Sequence, residues 1–155
     1  RYSLADRHIE DDLLPTAREL GVGIVAFGVL LSGLIGGSSQ EEKLKSIGQR
    51  ISPEALATMK ANLARTNALK QIAVEKGATL AQLAIAWVLA QGEDIIALVG
   101  SRTASQIKDT IQALNVKLTK EDLDRINRIM PKAEATCSYM LDVDIDSKGL
   151  FHAKQ

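Results

Sequence analysis

The chain has 155 residues, which is enough for one domain with a buried core. Its 19 basic and 19 acidic residues cancel to a formal net charge of zero, and the basic residues are scattered along the chain. This distribution excludes the clustered positive charge that nucleic-acid binding requires.

The single cysteine, Cys137, has no intrachain partner for a disulfide, so a reducing, cytoplasmic location is expected. No apolar stretch approaches the ~20 residues of a membrane span, and no signal peptide is apparent. We therefore predict no membrane partner. Because the sequence begins at Arg1 rather than methionine, we also expect that its start is not a translation start.

The first predicted helix covers Ile9–Leu20, where apolar residues recur at helical spacing, and Gly21 follows in the position of a left-handed C-terminal cap. Pro15 is costly deep inside a helix, so regular helix is expected to begin just upstream of it. The next segment, Gly23–Phe27 (GIVAF), is short and continuously apolar, which is typical of a strand buried on both faces of a parallel sheet. A glycine-rich loop, Gly28–Ser39, follows the strand.

The rest of the chain, after a polar segment through Arg50, is predicted to alternate helices with one more strand. The segments are a helix over Pro53–Lys76, a helix over Leu80–Ala90, a strand over Ile95–Val99, a helix through Leu114 and a helix from Thr119 to Met130. Ser52, Thr79 and Thr119 stand at helix N-caps. This order indicates an α/β protein, either a doubly wound sheet or part of a barrel. The tail Lys132–Gln155 has weak periodicity and is expected to wrap over other elements or to be loosely ordered.

The segment Ile95–Thr110 (IIALVGSRTASQIKDT) carries the clearest chemical signal. A buried strand ends in glycine, a hydroxyl residue and an arginine, and a helix begins within a few residues. Backbone N–H groups at a helix N-terminus attract phosphate, and an adjacent arginine adds a charge-assisted bond. By its spacing alone, such a segment is more often an exposed turn with a solvated arginine, and a phosphate site is the alternative interpretation.

The loop after GIVAF is a second candidate, because its glycines allow a ligand to approach the backbone closely. These glycines are Gly28, Gly33, Gly36 and Gly37. Phe27, at the carboxyl end of the strand, offers an aromatic face to a planar ring. Taken alone, this pattern is more often a mobile lid or an ordinary glycine-rich turn than a ligand site. The loop matches neither the G-x-G-x-x-G fingerprint nor a P-loop.

No metal site or hydrolytic constellation is predicted. His8 and His152 lie near opposite ends of the chain and are expected at the surface. Asp142, Asp144 and Asp146 are spaced as in a calcium loop, but the glycine and distal glutamate of that loop are absent. Trp87 is predicted to pack in the core.

Two long segments, Tyr2–Gly37 and Ala78–Ile126, together resemble the aldo-keto reductase family. They read YSLADRHIEDDLLPTARELGVGIVAFGVLLSGLIGG and ATLAQLAIAWVLAQGEDIIALVGSRTASQIKDTIQALNVKLTKEDLDRI. The resemblance implies the C-terminal portion of a (β/α)8 TIM barrel, with barrel elements over residues 1–131 and a tail over residues 132–155. The AFGVL sequence is similar to the pyridoxal- or aryl-alcohol-reductase-like branch.

The resemblance implies that the cofactor is NADP(H) and that the first loop holds its nicotinamide end. Phe27 matches the aromatic residue, usually tyrosine, that stacks on nicotinamide. The matching residues of the loop that covers the pyrophosphate are Gly28, Val29, Leu30 and Gly33. Ser32 departs from the family pattern, because an arginine often occupies its position.

The second loop is implied to hold the adenosine end. Gly100, Ser101 and Arg102 match the turn that binds the adenosine 2′-phosphate, which favours NADP(H) over NAD(H). Gln106 stands where the family has Arg or Gln near that phosphate. The residues that match the adenine-contacting pair are Asp109 and Thr110, with Thr110 replacing the usual asparagine.

The family's catalytic Asp-Tyr-Lys-His set comes from the first four barrel strands, to which no part of this sequence corresponds. Tyr2 matches a strand-six position and is not the proton donor, so no catalytic residue is assigned to this chain. A complete barrel needs ~250 residues, which leads us to expect a truncated chain or one piece of an enzyme. The implied parent protein is an NADP(H)-dependent reductase of small-molecule aldehydes or ketones, and the chain alone is predicted to be inactive.

A partial barrel leaves strand edges open, which invites pairing with a missing half or self-association. The alternative function is therefore a non-catalytic nucleotide-binding or self-assembling half-barrel module. A third alternative is a doubly wound domain that binds an unrelated phosphate ligand.

Overall fold

The computed structural model describes residues 1–36, 40–49, 51–135, 143–145 and 151–153. The predictions made for Gly37, Cys137, Asp142 and Asp146 lie outside these residues.

The helices and strands of this part of the chain follow the predicted order with three differences. The helices are α1 (Leu13–Glu19), α2 (Gln40–Gly48), α3 (Pro53–Ala68), α4 (Lys70–Glu75), α5 (Leu80–Leu89), α6 (Ala104–Ile111) and α7 (Lys120–Ile129). The strands are β1 (Ile24–Ala26), β2 (Ile95–Ala97), β3 (Val143–Ile145) and β4 (Phe151–Ala153). Single 3-10 turns cover His8–Glu10, Leu31–Gly33, Gln112–Asn115 and Lys132–Glu134.

The first two differences arise where packing overrides the local pattern. The polar segment before Arg50 forms α2, which packs Leu44 and Ile47 against the core. The helix predicted over Pro53–Lys76 is divided between α3 and α4 at Leu69, a fully buried residue at the junction. In the tail, β3 and β4 pair as antiparallel strands.

The predicted helix boundaries are confirmed where a capping residue signals them. Thr79 and Gln82 form a capping box on α5, and Thr119 and Asp122 form one on α7. Ser52 accepts a hydrogen bond from the Ala55 N–H at the start of α3, over 3.2 Å. These caps satisfy backbone N–H groups that the first turn of a helix leaves without intrahelical partners.

Strands β1 and β2 are parallel neighbours, with Ile24 opposite Ile95 and Ala26 opposite Ala97. The connection between them contains α2 to α5, as a parallel pair requires a long crossover. The α/β prediction is confirmed by this pairing.

The core lies between this strand pair and α5. Trp87 of α5 is fully buried, as predicted, with its ring 5.4 Å from that of Tyr2. The Arg7 guanidinium lies 4.9 Å from the centre of the Trp87 ring and also binds Glu10, with an Nε–Oε1 distance of 2.8 Å. Packing around a large aromatic side chain and a cation over its face both stabilise this region.

The second face of the strand pair is uncovered, so the prediction that both strands are buried on both faces is wrong. Val25, Ile96 and Leu98 are 59%, 64% and 59% exposed, whereas Ala26 and Ile95 of the opposite face are buried. Side chains alternate between the two faces of a sheet, and the helices of the described ranges cover only one of them. The outcome is an apolar sheet face, formed by Val25, Ile96 and Leu98, in contact with solvent.

Within the described ranges, no single helix is long and apolar enough to cross a membrane. The pair Pro53–Glu75 and Leu80–Leu89 meets the criterion only jointly, by length and composition, and is bent by 90°.

Candidate cofactor-binding site

The two loops singled out in the sequence leave the sheet at the same end. Strands β1 and β2 run parallel and in register, and the Leu98 N–H donates to the Ala26 carbonyl just beyond them, over 2.8 Å. Phe27 follows β1 directly, and the turn containing Arg102 follows β2. The carboxyl ends of parallel strands are the usual position of ligand sites in α/β folds.

Phe27 presents half of its side chain to solvent, with an exposed fraction of 50%. Its carbonyl accepts a hydrogen bond from the Tyr2 N–H over 3.1 Å, which holds the backbone at the end of β1. An exposed ring on a fixed backbone is able to stack against a planar ligand. The geometry is compatible with stacking of Phe27 on a nicotinamide ring, and that role stays a prediction.

The glycine-rich loop is built around backbone conformations that favour glycine. Gly28 and Gly33 have φ angles of +72° and +81°, in the left-handed region. The Leu31 N–H donates to the Gly28 carbonyl over 3.0 Å, and the Gly33 N–H donates to the Leu30 carbonyl over 2.8 Å. The side chains of Val29 and Leu31 are buried in the core, so the loop is anchored rather than a free lid.

The predicted phosphate turn is exposed, and its shape is fixed by the start of α6. Thr103 caps this helix by accepting from the Gln106 N–H over 3.2 Å. The side-chain oxygen of Gln106 accepts from the Arg102 N–H over 2.7 Å. Gln106 thus shapes the turn through its oxygen, which leaves its amide NH₂ as a donor. Gly100, Ser101 and Arg102 are all exposed there.

Asp109, predicted to contact adenine, is held by a residue that the sequence did not indicate. The amide nitrogen of Gln82 donates to Asp109 Oδ1 over 2.7 Å and to the Asp109 carbonyl over 3.1 Å. Gln82 lies buried on α5, whereas Thr110, beside Asp109, is half-buried. In the sequence, Gln82 stands at the capping-box position of α5. That position does not indicate a contact with Asp109 on α6.

Lys43 of α2 is a second residue that sequence reasoning missed. Its ammonium donates to the Gly33 carbonyl over 2.9 Å, and the Gln40 side chain donates to the Leu34 carbonyl over 2.6 Å. A Cβ at Gly33 would lie 2.5 Å from the Lys43 nitrogen, so glycine permits this close approach. No sequence pattern linked the polar segment to the loop.

Tyr2 is engaged in the core rather than aimed at the two loops. Burial raises the pKa of its phenol, as does the hydrogen bond to Glu10, whose Oε1 accepts from the hydroxyl over 2.7 Å. A phenol so stabilised in its protonated form is a poor proton donor. Tyr2, Glu10 and Arg18 also line a cavity of about 200 Å³ on the α1 side.

His8 is half-exposed, and its Nδ1 lies 2.5 Å from the Asp6 carboxylate. No group of three or more His, Cys, Asp or Glu side chains capable of holding a metal ion occurs in the described part of the chain.

A sequence model of the Aldo/keto reductase family matches residues 1–131. The chain belongs to this family. It is 39% identical over 132 residues to the Uncharacterized oxidoreductase YrpG of Bacillus subtilis and 37% identical over 135 residues to the Probable aldo-keto reductase 1 of Glycine max. Each match covers 84% of this chain, but only 39% and 38% of the relatives, so the chain spans about two-fifths of their length.

Solved structures of aldo-keto reductases share the fold. The chain matches the glycerol dehydrogenase of Gluconobacter oxydans with a TM-score of 0.66 and 26% identity, over 83% of this chain and 40% of that one. It matches an aldo-keto reductase of Klebsiella pneumoniae, solved in complex with NADPH, with a TM-score of 0.58 and 24% identity, over 84% of this chain and 37% of that one. The prediction of a portion of a (β/α)8 barrel is confirmed by these likenesses. The branch assignment within the aldo-keto reductases stays a prediction.

Proposed function

We propose that this chain is the NADP(H)-binding part of an oxidoreductase that reduces small-molecule aldehydes or ketones. The observation that carries the proposal is the shared end of β1 and β2, from which Phe27 and the Arg102 turn both emerge. Membership of the aldo-keto reductases supports it, as does the NADPH bound by the Klebsiella pneumoniae relative. A cytoplasmic location is part of the proposal.

The residues of the adenosine loop would act on the phosphate by charge and by hydrogen bonding. The guanidinium of Arg102 would bind the 2′-phosphate, beside the N-terminus of α6, where backbone N–H groups favour an anion. The free NH₂ of Gln106 would donate to the same phosphate. The Asp109 carboxylate would accept from the adenine amino group, with Thr110 alongside.

The residues of the first loop would position the reactive end of the cofactor. Phe27 would stack on the nicotinamide ring, and the backbone of Gly28, Val29, Leu30 and Gly33 would follow the pyrophosphate. A bound nicotinamide supplies the hydride for reduction of a carbonyl group. Proton transfer would need the family's Asp-Tyr-Lys-His set, to which no residue of this chain is matched, so the chain alone is proposed to lack turnover.

The uncovered sheet face favours a second candidate function, a non-catalytic nucleotide-binding module that pairs with another half barrel. Val25, Ile96 and Leu98 form this face, and apolar side chains of α6 and the following turn are exposed as well. These side chains are Ile107, Ile111 and Leu114. Exposed apolar area of this kind marks an interaction surface, and in both candidates further strands would cover the sheet face.

The test is a fluorescence titration of the chain with NADPH and, separately, with NADH. Arg102→Ala is expected to weaken NADPH binding about tenfold, because one charge-assisted bond to the 2′-phosphate is lost. It should leave NADH binding unchanged, since NADH lacks that phosphate. Arg128→Ala, on the exposed side of α7, is the matched control. Equal weakening for both nucleotides would contradict the assignment of Arg102.

A further inference from the structure

The glycine-rich loop carries no charge of its own where the proposed function places a pyrophosphate. Residues 28–36 read GVLLSGLIG, without a lysine, arginine or histidine. Only backbone N–H groups would then stabilise the negative charge of a pyrophosphate bound beside this loop, unless a cation reaches the loop from another element.

Among the described residues, Arg1 and Lys43 approach the loop with a positive charge, and that of Arg1 is already neutralised. The side chain of Arg1 packs against Gly28, but its guanidinium forms a buried ion pair with Asp6, with an N–O distance of 2.9 Å. Lys43 instead donates to the neutral carbonyl of Gly33. Its positive charge is therefore not compensated by a carboxylate at this contact.

From this contact we infer that Lys43 is the cation that binds the pyrophosphate of NADP(H), reaching across from α2. The inference rests on the proposed function and deepens it. An ammonium has three donors, so it can retain the Gly33 carbonyl and bind a phosphate oxygen at the same time. The left-handed conformation of Gly33, with no Cβ, leaves the space in which the lysine nitrogen sits.

Partial burial favours this role over that of a solvated surface lysine. Lys43 is half-buried, whereas Lys45 on the same helix is exposed. The hydrogen bond from Gln40 to the Leu34 carbonyl adds a second connection between α2 and the loop. The ammonium is thereby held beside the loop before a ligand arrives, which lowers the ordering cost of binding.

The experiment compares two ligands by calorimetric titration of the full chain. NADPH contains the pyrophosphate, whereas adenosine 2′-monophosphate retains the adenine and the 2′-phosphate without it. Lys43→Met is expected to weaken NADPH about tenfold and to leave adenosine 2′-monophosphate unchanged. Lys43→Arg should restore most of the affinity, and the Kd of Lys43→Met should depend less on salt concentration. Lys45→Met is the matched control.

The outcomes separate this inference from the proposed function. If the wild-type chain binds NADPH and Lys43→Met binds it equally well, the role of Lys43 is overturned and the proposed function stands. If Lys43→Met weakens both ligands equally, Lys43 supports the fold rather than the pyrophosphate, and the inference again fails. If the wild-type chain binds neither ligand, the inference and the proposed function fall together.

Discussion

Gln82 and Asp109 join two helices through one side-chain amide, whose nitrogen lies 2.7 Å from the aspartate Oδ1. The oxygen of the same amide accepts from the Thr79 N–H over 2.9 Å and completes the cap of α5. The buried side chain of Gln82 therefore fixes the start of α5. It also orients Asp109 on α6, the residue proposed to contact adenine. This coupling connects the packing of the core with the proposed cofactor site.

Gln82→Glu is expected to lower the free energy of unfolding by about 1–3 kcal/mol. Glutamate can still accept from Thr79, but it loses the donor and places a second carboxylate against Asp109. Urea denaturation measures the change. Gln49→Glu, at an exposed position after α2, is the control for added negative charge. Equal stability of the two variants would show that the Gln82–Asp109 bond contributes nothing.

Acid is expected to destabilise the fold through Asp122. Burial by itself would raise the pKa of this carboxyl, but hydrogen bonds from Lys76 and Thr119 hold it at about 2, below its ordinary value of 3.8. Because the folded pKa is depressed, the stabilisation is present above about pH 4 and is lost as the pH falls toward 2. The loss amounts to up to about 2 kcal/mol.

Asp122→Asn should remove this part of the pH dependence, while the side-chain oxygen of the asparagine can still accept from the Thr119 N–H. Between about pH 2 and pH 5, the unfolding temperature of the variant should change less steeply with pH than that of the wild-type chain. Asp124→Asn, on the exposed side of the same helix, should keep the wild-type slope. An unchanged slope in Asp122→Asn would assign the acid sensitivity to other carboxylates.

Gly36→Ala is expected to destabilise the chain by about 1–3 kcal/mol. Gly36 has a φ of +73°, and a Cβ there would lie 2.9 Å from the Cβ of Ala81 on α5. Gly21→Ala is the matched control, because Gly21 has a similar φ of +66° with nothing within 4 Å of its added Cβ. Chemical denaturation should show a larger loss in the free energy of unfolding for Gly36→Ala than for Gly21→Ala. An equal loss would mean that the positive φ angle alone causes it and that the contact with Ala81 contributes nothing.

The apolar sheet face is expected to drive association of this chain with itself when no other half barrel is present. Ile96→Lys would place a charge at the centre of the face and shift the population toward monomer. Size-exclusion chromatography with light scattering measures the shift. Val74→Lys, at a 69% exposed position on α4, should not change it. A wild-type chain that stays monomeric at high concentration would count against pairing through this face.

Much of the local structure followed from the sequence, because the forces that set it act within a few residues. Thr79 and Thr119 cap helices by bonding backbone N–H groups three residues ahead, and Gly21 ends α1 in a conformation that it alone among nearby residues adopts at little cost. The two long motifs resemble the aldo-keto reductases, and the family model that matches residues 1–131 confirms this membership.

Only the tertiary structure decided which side chains meet across elements. Gln82 and Asp109 are 27 residues apart, and Lys43 reaches Gly33 from a segment that the sequence predicted as a polar connection. The apolar runs of β1 and β2 indicated burial on both faces. Apolar side chains make such burial favourable, but they do not determine which elements pack on each face. Whether both faces are covered depends on which elements pack there, and that is a property of the assembled fold.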